Sequence, residues 1–283
     1  MTSTPLSCPS LSLPRRLWLC VALVLLASCQ QEQAPAPATA PVPALRQTLT
    51  IFAAASLREA FGSLRDEFQE THANVDIAFN FAGSQELRMQ IEHAAPADVF
   101  ASADEKNMRE LQQTSKVGAA AVFARNEPVL VVAKESAASV SSFADLQKVK
   151  RIVLGAPDVP IGRYTGQILD NASRSLAADF RQRVEANVVS RELDARQVLN
   201  KVVLGEANAG VVYRTDARSA KDQLSVVSIP PELNVIAQYP IASVTGTRHA
   251  EVAAQWVKFV LSPRGQALLQ QAGFSAPAGP PPT

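Results

Sequence analysis

Cysteine is nearly missing from this chain: Cys8, Cys20 and Cys29 are the only three in 283 residues, and none lies in 30–283. A segment without cysteine forms no disulfide, binds no metal through thiolate and carries no cysteine nucleophile. Histidine is equally scarce. His72, His93 and His249 are scattered without paired spacing, and zinc sites need clustered ligands, so all three read as surface residues. Three tyrosines in the whole chain argue against a tyrosine-rich ferric-ion site. A formal charge of +1 steers neither nucleic acid nor an anionic membrane. There is no glycine-rich phosphate loop, no Gly-x-Ser-x-Gly elbow and no nucleophile paired with a base, which counts against a hydrolase. Internal repeats and heptads are also missing.

Long apolar runs are few. Leu17 to Ala27 is eleven residues, behind Arg15 and Arg16. It is too short to span a bilayer and right for the core of a targeting signal. It ends in Leu26-Ala27-Ser28-Cys29, which resembles a bacterial lipobox. The resemblance implies that residues 1–28 are a lipoprotein signal peptide and that Cys29 is acylated, anchoring the chain to a membrane without a transmembrane helix. An ordinary secretory signal with an incidental cysteine is the other reading. Without Arg15 and Arg16 the chain has 25 basic and 26 acidic side chains. Residues 29–46, with prolines at 35, 37, 41 and 43, cannot bury a core and read as an extended tether. The tail 276–283 is similar and reads as disordered.

What is present is an alternation of strands and helices from residue 48 onward, the pattern of an α/β fold with mostly parallel sheets. Thr48–Ala53, Val75–Phe81, Asp98–Ala101, Ala119–Ala124 and Val129–Ala133 read as strands, with a break at 125–128 marked by Pro128. A second series adds strands at Arg151–Gly155, Asn187–Val189, Ala209–Tyr213, Val226–Ile229 and Val235–Ala242, the last interrupted at Tyr239-Pro240. Helices are expected between them, one from about Arg163 and one opened by Asp194 with Gly205 as its end. Two terminal helices, about His249–Leu261 and Pro263–Gln271, close the fold. Two such series imply two lobes: 47–126 with a return at 239–275, and 127–238, joined by crossings near Asn126 and Tyr239. Ligands of open α/β sheets bind beyond the strands' carboxyl ends.

Ser56 follows the first strand where a helix should begin, with Leu57, Ala60, Phe61, Leu64 and Phe68 at helical spacing and Glu59 three residues on. It reads as an N-cap, or as an anion donor at a helix start. Ser84, Ile161 and Ala195 also fall at or just before predicted helix starts, and Tyr213 ends a strand with a phenol to donate. Four helix N-termini meeting at one point would supply aligned N–H groups and partial positive charge. None of these five is an acceptor-only carboxylate. An all-donor site prefers fully deprotonated oxyanions over protonated phosphate.

The segments Ile51–Leu57 (IFAAASL), Phe81-Ala82-Gly83-Ser84 and Ala95–Asp104 (APADVFASAD) resemble the periplasmic molybdate/tungstate-binding proteins of ABC importers. Val159-Pro160-Ile161-Gly162, Gly210-Val211-Val212-Tyr213, Leu261-Ser262-Pro263 and Gly273-Phe274 follow in the same order. The likeness spans 48 to 274. It implies an α/β, two-lobed periplasmic-binding-protein fold of type II with a tetrahedral oxyanion in the interlobe cleft. Carried over by motif, molybdate would be held by the hydroxyls of Ser56, Ser84 and Tyr213 and the backbone N–H groups of Ile161 and Ala195. The resemblance further implies an exported, non-enzymatic monomer without a cofactor, with an ABC permease and its ATPase as partners. A binder of sulfate or another tetrahedral oxyanion is the rival within the class. A module presenting its bound anion to a receptor is a rival outside it.

The remaining polar residues have blander readings. Arg163 is expected to be a solvated residue of a helix's first turn. Asp98 is expected to bond backbone N–H groups at a strand–loop corner. Asp194, and Ser102 with Glu105 three residues later, are expected to cap helices.

Overall fold

The computed structural model describes residues 46–277. The proposed signal peptide, Cys29, most of the tether and the end of the tail lie outside the described residues. None of the helices in the described region is long and apolar enough to cross a membrane.

The first sheet runs in the order β2 (Val75–Ala82), β1 (Gln47–Ala54), β3 (Val99–Ala101), β10 (Ala237–Ser243), β4 (Ala121–Asn126). The second runs β7 (Val188–Glu192), β6 (Ile152–Gly155), β8 (Ala209–Tyr213), β5 (Pro128–Ala133), β9 (Leu224–Ser228). Both are mixed rather than mostly parallel. β10 is antiparallel to β3 and β4, and β5 to β8 and β9. These are the strands next to the crossings. The chain leaves the first sheet after Asn126 and enters the second at Pro128, then returns between Ser228 and Ala237. The register of β10 against β4 shifts at Tyr239-Pro240, where proline has no N–H to give.

Helices pack through the faces their spacing dictates. In α1 (Arg58–Thr71), Ala60, Phe61, Leu64 and Phe68 are buried, three or four residues apart on one stripe. Trp256 of α8 (Ala250–Leu261) stands edge-on to Phe61 and Phe68 at 5.8 and 5.3 Å. α9 (Pro263–Gln271) starts with proline at its first position and is capped by Ser262. In α4 (Pro160–Ser175), Ile161, Thr165, Ile168, Leu169 and Ala172 are buried. α6 (Ala195–Val203) is capped by Asp194, as expected, and Gly205 beyond it has φ +71°.

Several local expectations fail. The cap of α3 (Glu105–Gln113) is Asp104, which accepts from Asn107 N–H at 2.9 Å; Ser102 instead bonds Asp104. A carboxylate is the stronger acceptor at a positive helix end. α4 begins at Pro160, not near Arg163, because proline suits a first helical position. The helices α2 (Ser84–Glu92) and α5 (Phe180–Glu185) are among those expected between the strands. α7 (Arg214–Ser219) had no periodic signal to announce it.

Candidate functional site

Register brings the first lobe's donors together. Ala54 pairs with Ala82 and Ala53 with Ala101, so three parallel strands end at one edge. Ser56, Ser84 and Ala103 each follow two residues later. In the second sheet, β6, β7 and β8 are parallel and also end together. Their exits lead to Ile161 on the first turn of α4, to Ala195 at the start of α6, and to Tyr213. First-turn N–H groups have no acceptor inside their own helix, so Ile161 and Ala195 present backbone donors by construction.

These five residues line one cavity of about 20 Å³. A single water needs about 10–15 Å³ in the same measure, so the cavity admits a solute of a few atoms and no sugar, peptide or nucleotide. The five are between 1% and 4% exposed. A groove of about 910 Å³ beside α8 and α9 is far larger, but none of the five lines it.

The hydroxyls are held in place. Ser84 Oγ accepts from Ala103 N–H at 2.9 Å, which leaves its proton free for the cavity. Ser56 Oγ lies 2.8 Å from Tyr239 Oη. Ser56 therefore does not cap α1 with its side chain: it sits in a 3₁₀ turn, Ala55–Leu57, with no capping bond. Tyr213 Oη is buried and has no hydrogen-bond partner among the described residues. An unpartnered buried hydroxyl costs stability unless something else satisfies it. Burial pushes both Tyr213 and Tyr239 well above the ordinary phenol value, so both keep their protons. Asp194 also lines the cavity, but its carboxylate is spent on Gln197 N–H and Nε2 at 2.9 and 2.8 Å.

Charges stand around the cavity in pairs that tie the two sheets together. Arg163, two residues after Ile161, pairs with Asp104 and is not the solvated residue expected; the carboxylate opposite leaves little reason for it to stay in water. Arg196, next to Ala195, pairs with Glu59 on α1 and lies 2.7 Å from Asp216 Oδ1. Gln85 Nε2 donates to Leu193 O at 2.9 Å. Gly83 lies so close to the Leu193 carbonyl that a Cβ there would collide with it. Asp98 is structural, as expected: it accepts from Thr50 N–H at 2.6 Å and also from Thr247. It binds His249 as well, at 3.2 Å, so that histidine is half-buried rather than free at the surface.

Sequence reasoning missed Tyr239, Asn126, Ala103 and the cross-sheet arginine pairs. No spacing rule joins residues so far apart, and the only local sign was the broken strand at Tyr239-Pro240.

Two mixed sheets whose strand ends jointly enclose a small donor-lined cavity define a two-lobed α/β binding protein. The chain matches the bacterial extracellular solute-binding proteins over residues 49–275 and belongs to that family. Within it, the chain is 36% identical over 233 residues to the molybdate-binding protein ModA of Mycobacterium tuberculosis, covering 82% of this chain and 85% of that one. It is 30% identical over 236 residues to Escherichia coli ModA, covering 80% and 88%. The periplasmic molybdate-binding protein of Azotobacter vinelandii has the same fold, with a TM-score of 0.71 at 21% identity over 81% of this chain and 99% of that one.

Proposed function

We propose that this chain captures molybdate, and tungstate of the same shape and charge, outside the cytoplasm for ATP-driven import. The observation that carries the reading is the single cavity of about 20 Å³ lined by Ser56, Ser84, Ile161, Ala195 and Tyr213. Its lining offers protons from every side and no free carboxylate. Preorganised neutral donors and helix ends bind a dianion without a countercharge beside it. The identity to ModA proteins supports molybdate as the cargo.

Because the five residues are almost fully buried, a solute reaches them only when the lobes part. One lobe comprises 47–126 with the return at 239–275, the other 127–238. Hinge motion at the two crossings opens and closes the cleft, and the closed form is handed to a permease with its ATPase. The protein works as a monomer, holds no cofactor and catalyses nothing. Acylated Cys29 anchors it to a membrane surface. Replacing Cys29 by serine is expected to release the protein into the soluble fraction; continued membrane fractionation would refute lipidation.

Calorimetric titration of the mature domain with molybdate, tungstate, sulfate and phosphate tests the reading. Molybdate and tungstate are expected to bind much more tightly than sulfate, and phosphate most weakly. Sulfate binding as tight as molybdate would move the assignment to a general oxyanion binder. No binding of any anion would remove it.

A further inference from the structure

Tyr239 lies outside the five residues carried by motif, yet its phenol touches one of them. Its surroundings determine which way each proton points. Asn126 Oδ1 accepts from Glu127 N–H at 3.0 Å, which orients the amide. Nδ2 therefore faces Thr215 Oγ1 at 2.8 Å and Tyr239 Oη at 3.4 Å. An amide nitrogen only donates, so Tyr239 Oη receives a proton from Asn126. The phenol's own single proton is then left for Ser56 Oγ, 2.8 Å away. Ser56 accepts it, and its hydroxyl proton has only the cavity to go to. The sequence Asn126 to Tyr239 to Ser56 runs in one direction, and each bond polarises the next. Ala103 N–H does the same for Ser84.

We propose that Tyr239, oriented by Asn126, is a positioning residue that locks Ser56 as a proton donor toward the bound oxyanion. The proposal rests on the reading of the cavity as an oxyanion site. It adds a source of selectivity that the five lining residues do not provide alone. Serine hydroxyls turn freely, and a free one could accept a proton from hydrogen phosphate. With Ser56 and Ser84 both locked, the cavity favours anions that carry no proton. Tyr239 also sits beside the return crossing and Asn126 at the outgoing one, so the lock is built where the two sheets join. The ring itself packs edge-on against Phe123, Tyr213 and Phe274 at 5.4–6.3 Å, and phenylalanine keeps those contacts.

The test is a double-mutant cycle on molybdate affinity in the full mature domain, using Tyr239→Phe, Ser56→Ala and both together. Tyr239→Phe is expected to weaken molybdate binding roughly tenfold where Ser56 is present, about the worth of one hydrogen bond. In the Ser56→Ala background the same change is expected to cost almost nothing, because the group it positions is gone. Equal losses in both backgrounds would mean a merely structural tyrosine and would overturn the proposal. A second readout is competition by inorganic phosphate against bound molybdate. Phosphate is expected to compete better in Tyr239→Phe than in the unaltered protein; unchanged competition also overturns the lock. An unaltered protein that binds no molybdate, tungstate or sulfate would instead sink the oxyanion reading itself.

Discussion

Tyr213 Oη, Ser56 Oγ and Ser84 Oγ are buried hydroxyls whose hydrogen bonding is complete only with a ligand or another group in the cavity. On the proposed function, removing one of them deletes a bond to a charged group. Ser56→Ala, Ser84→Ala and Tyr213→Phe are each expected to weaken molybdate binding by roughly 1.5–3 kcal/mol, as read by calorimetry; unchanged affinity in all three would refute the site. Asp216, three residues beyond Tyr213, gives a prediction of a different kind. Burial pushes its carboxyl from 3.8 up to about 7, against the pull of Arg196. The folded chain therefore holds this proton where the unfolded chain has released it. Stability contributed by the neutral carboxyl is present at low pH and is lost as pH rises from about 4 to about 7. Asp216→Asn cannot ionise, and its chemical-denaturation stability is expected to fall less across that window. An identical slope in both proteins would show that Asp216 does not titrate there. Of the candidate site residues, Ser56, Ser84, Ile161 and Ala195 were legible in sequence only as positions at or near helix starts, and their grouping with Tyr213 came from the motif resemblance. Arg163 was not legible: its solvated look in sequence gave way to Asp104, a partner visible only after folding.

The elements act as delivery arms. β1, β2 and β3 end level, and the helices after them begin where those strands stop, so donors from separate segments converge without a shared motif. The convergence needs close approach of backbone to backbone. Gly83, the residue before α2, meets the Leu193 carbonyl just before α6. Gly83→Ala places a methyl between the two lobes. It is expected to weaken ligand binding by roughly 1–3 kcal/mol, the usual cost of overpacking, with little change in melting temperature, because the Leu193 carbonyl is fixed backbone of the other lobe whereas the Gln85 side chain that the methyl also meets can turn aside. A large loss of melting temperature would place the role of Gly83 inside one lobe instead. At this level the periodic elements were readable and the boundaries were not. A continuous apolar run announced β8 with its ends correct, whereas α7 is too short to display a helical period. Ser56 and Ser102 resembled caps by spacing, but caps are decided by which acceptor reaches the helix end first, and here other contacts captured both hydroxyls.

Across the two lobes, Arg163 with Asp104 and Arg196 with Glu59 join the sheets around the cavity. None of the four residues lines the cavity, so each pair is expected to bias closure rather than recognition. Arg163→Ala is expected to weaken every bound oxyanion by the same factor, roughly tenfold, consistent with coupling between close cross-interface charges. Titration with molybdate and sulfate in parallel checks this. A change in their ratio would instead mean that Arg163 contacts the anion.

Alternating strands and helices, the pattern of a targeting signal, the scarcity of cysteine and histidine, and the serines at helix starts are all properties of short stretches. Hydrophobic period, capping chemistry and composition act over a few residues, so they are present before folding. The antiparallel pairing of β5 and β10 with their neighbours, the Asn126–Tyr239–Ser56 chain and the arginine pairs join residues from 59 (Arg163 with Asp104) to 183 (Ser56 with Tyr239) positions apart. Nothing in local chemistry selects such partners; they are chosen when two sheets bury their faces and the remaining polar groups must find one another in the space left between them.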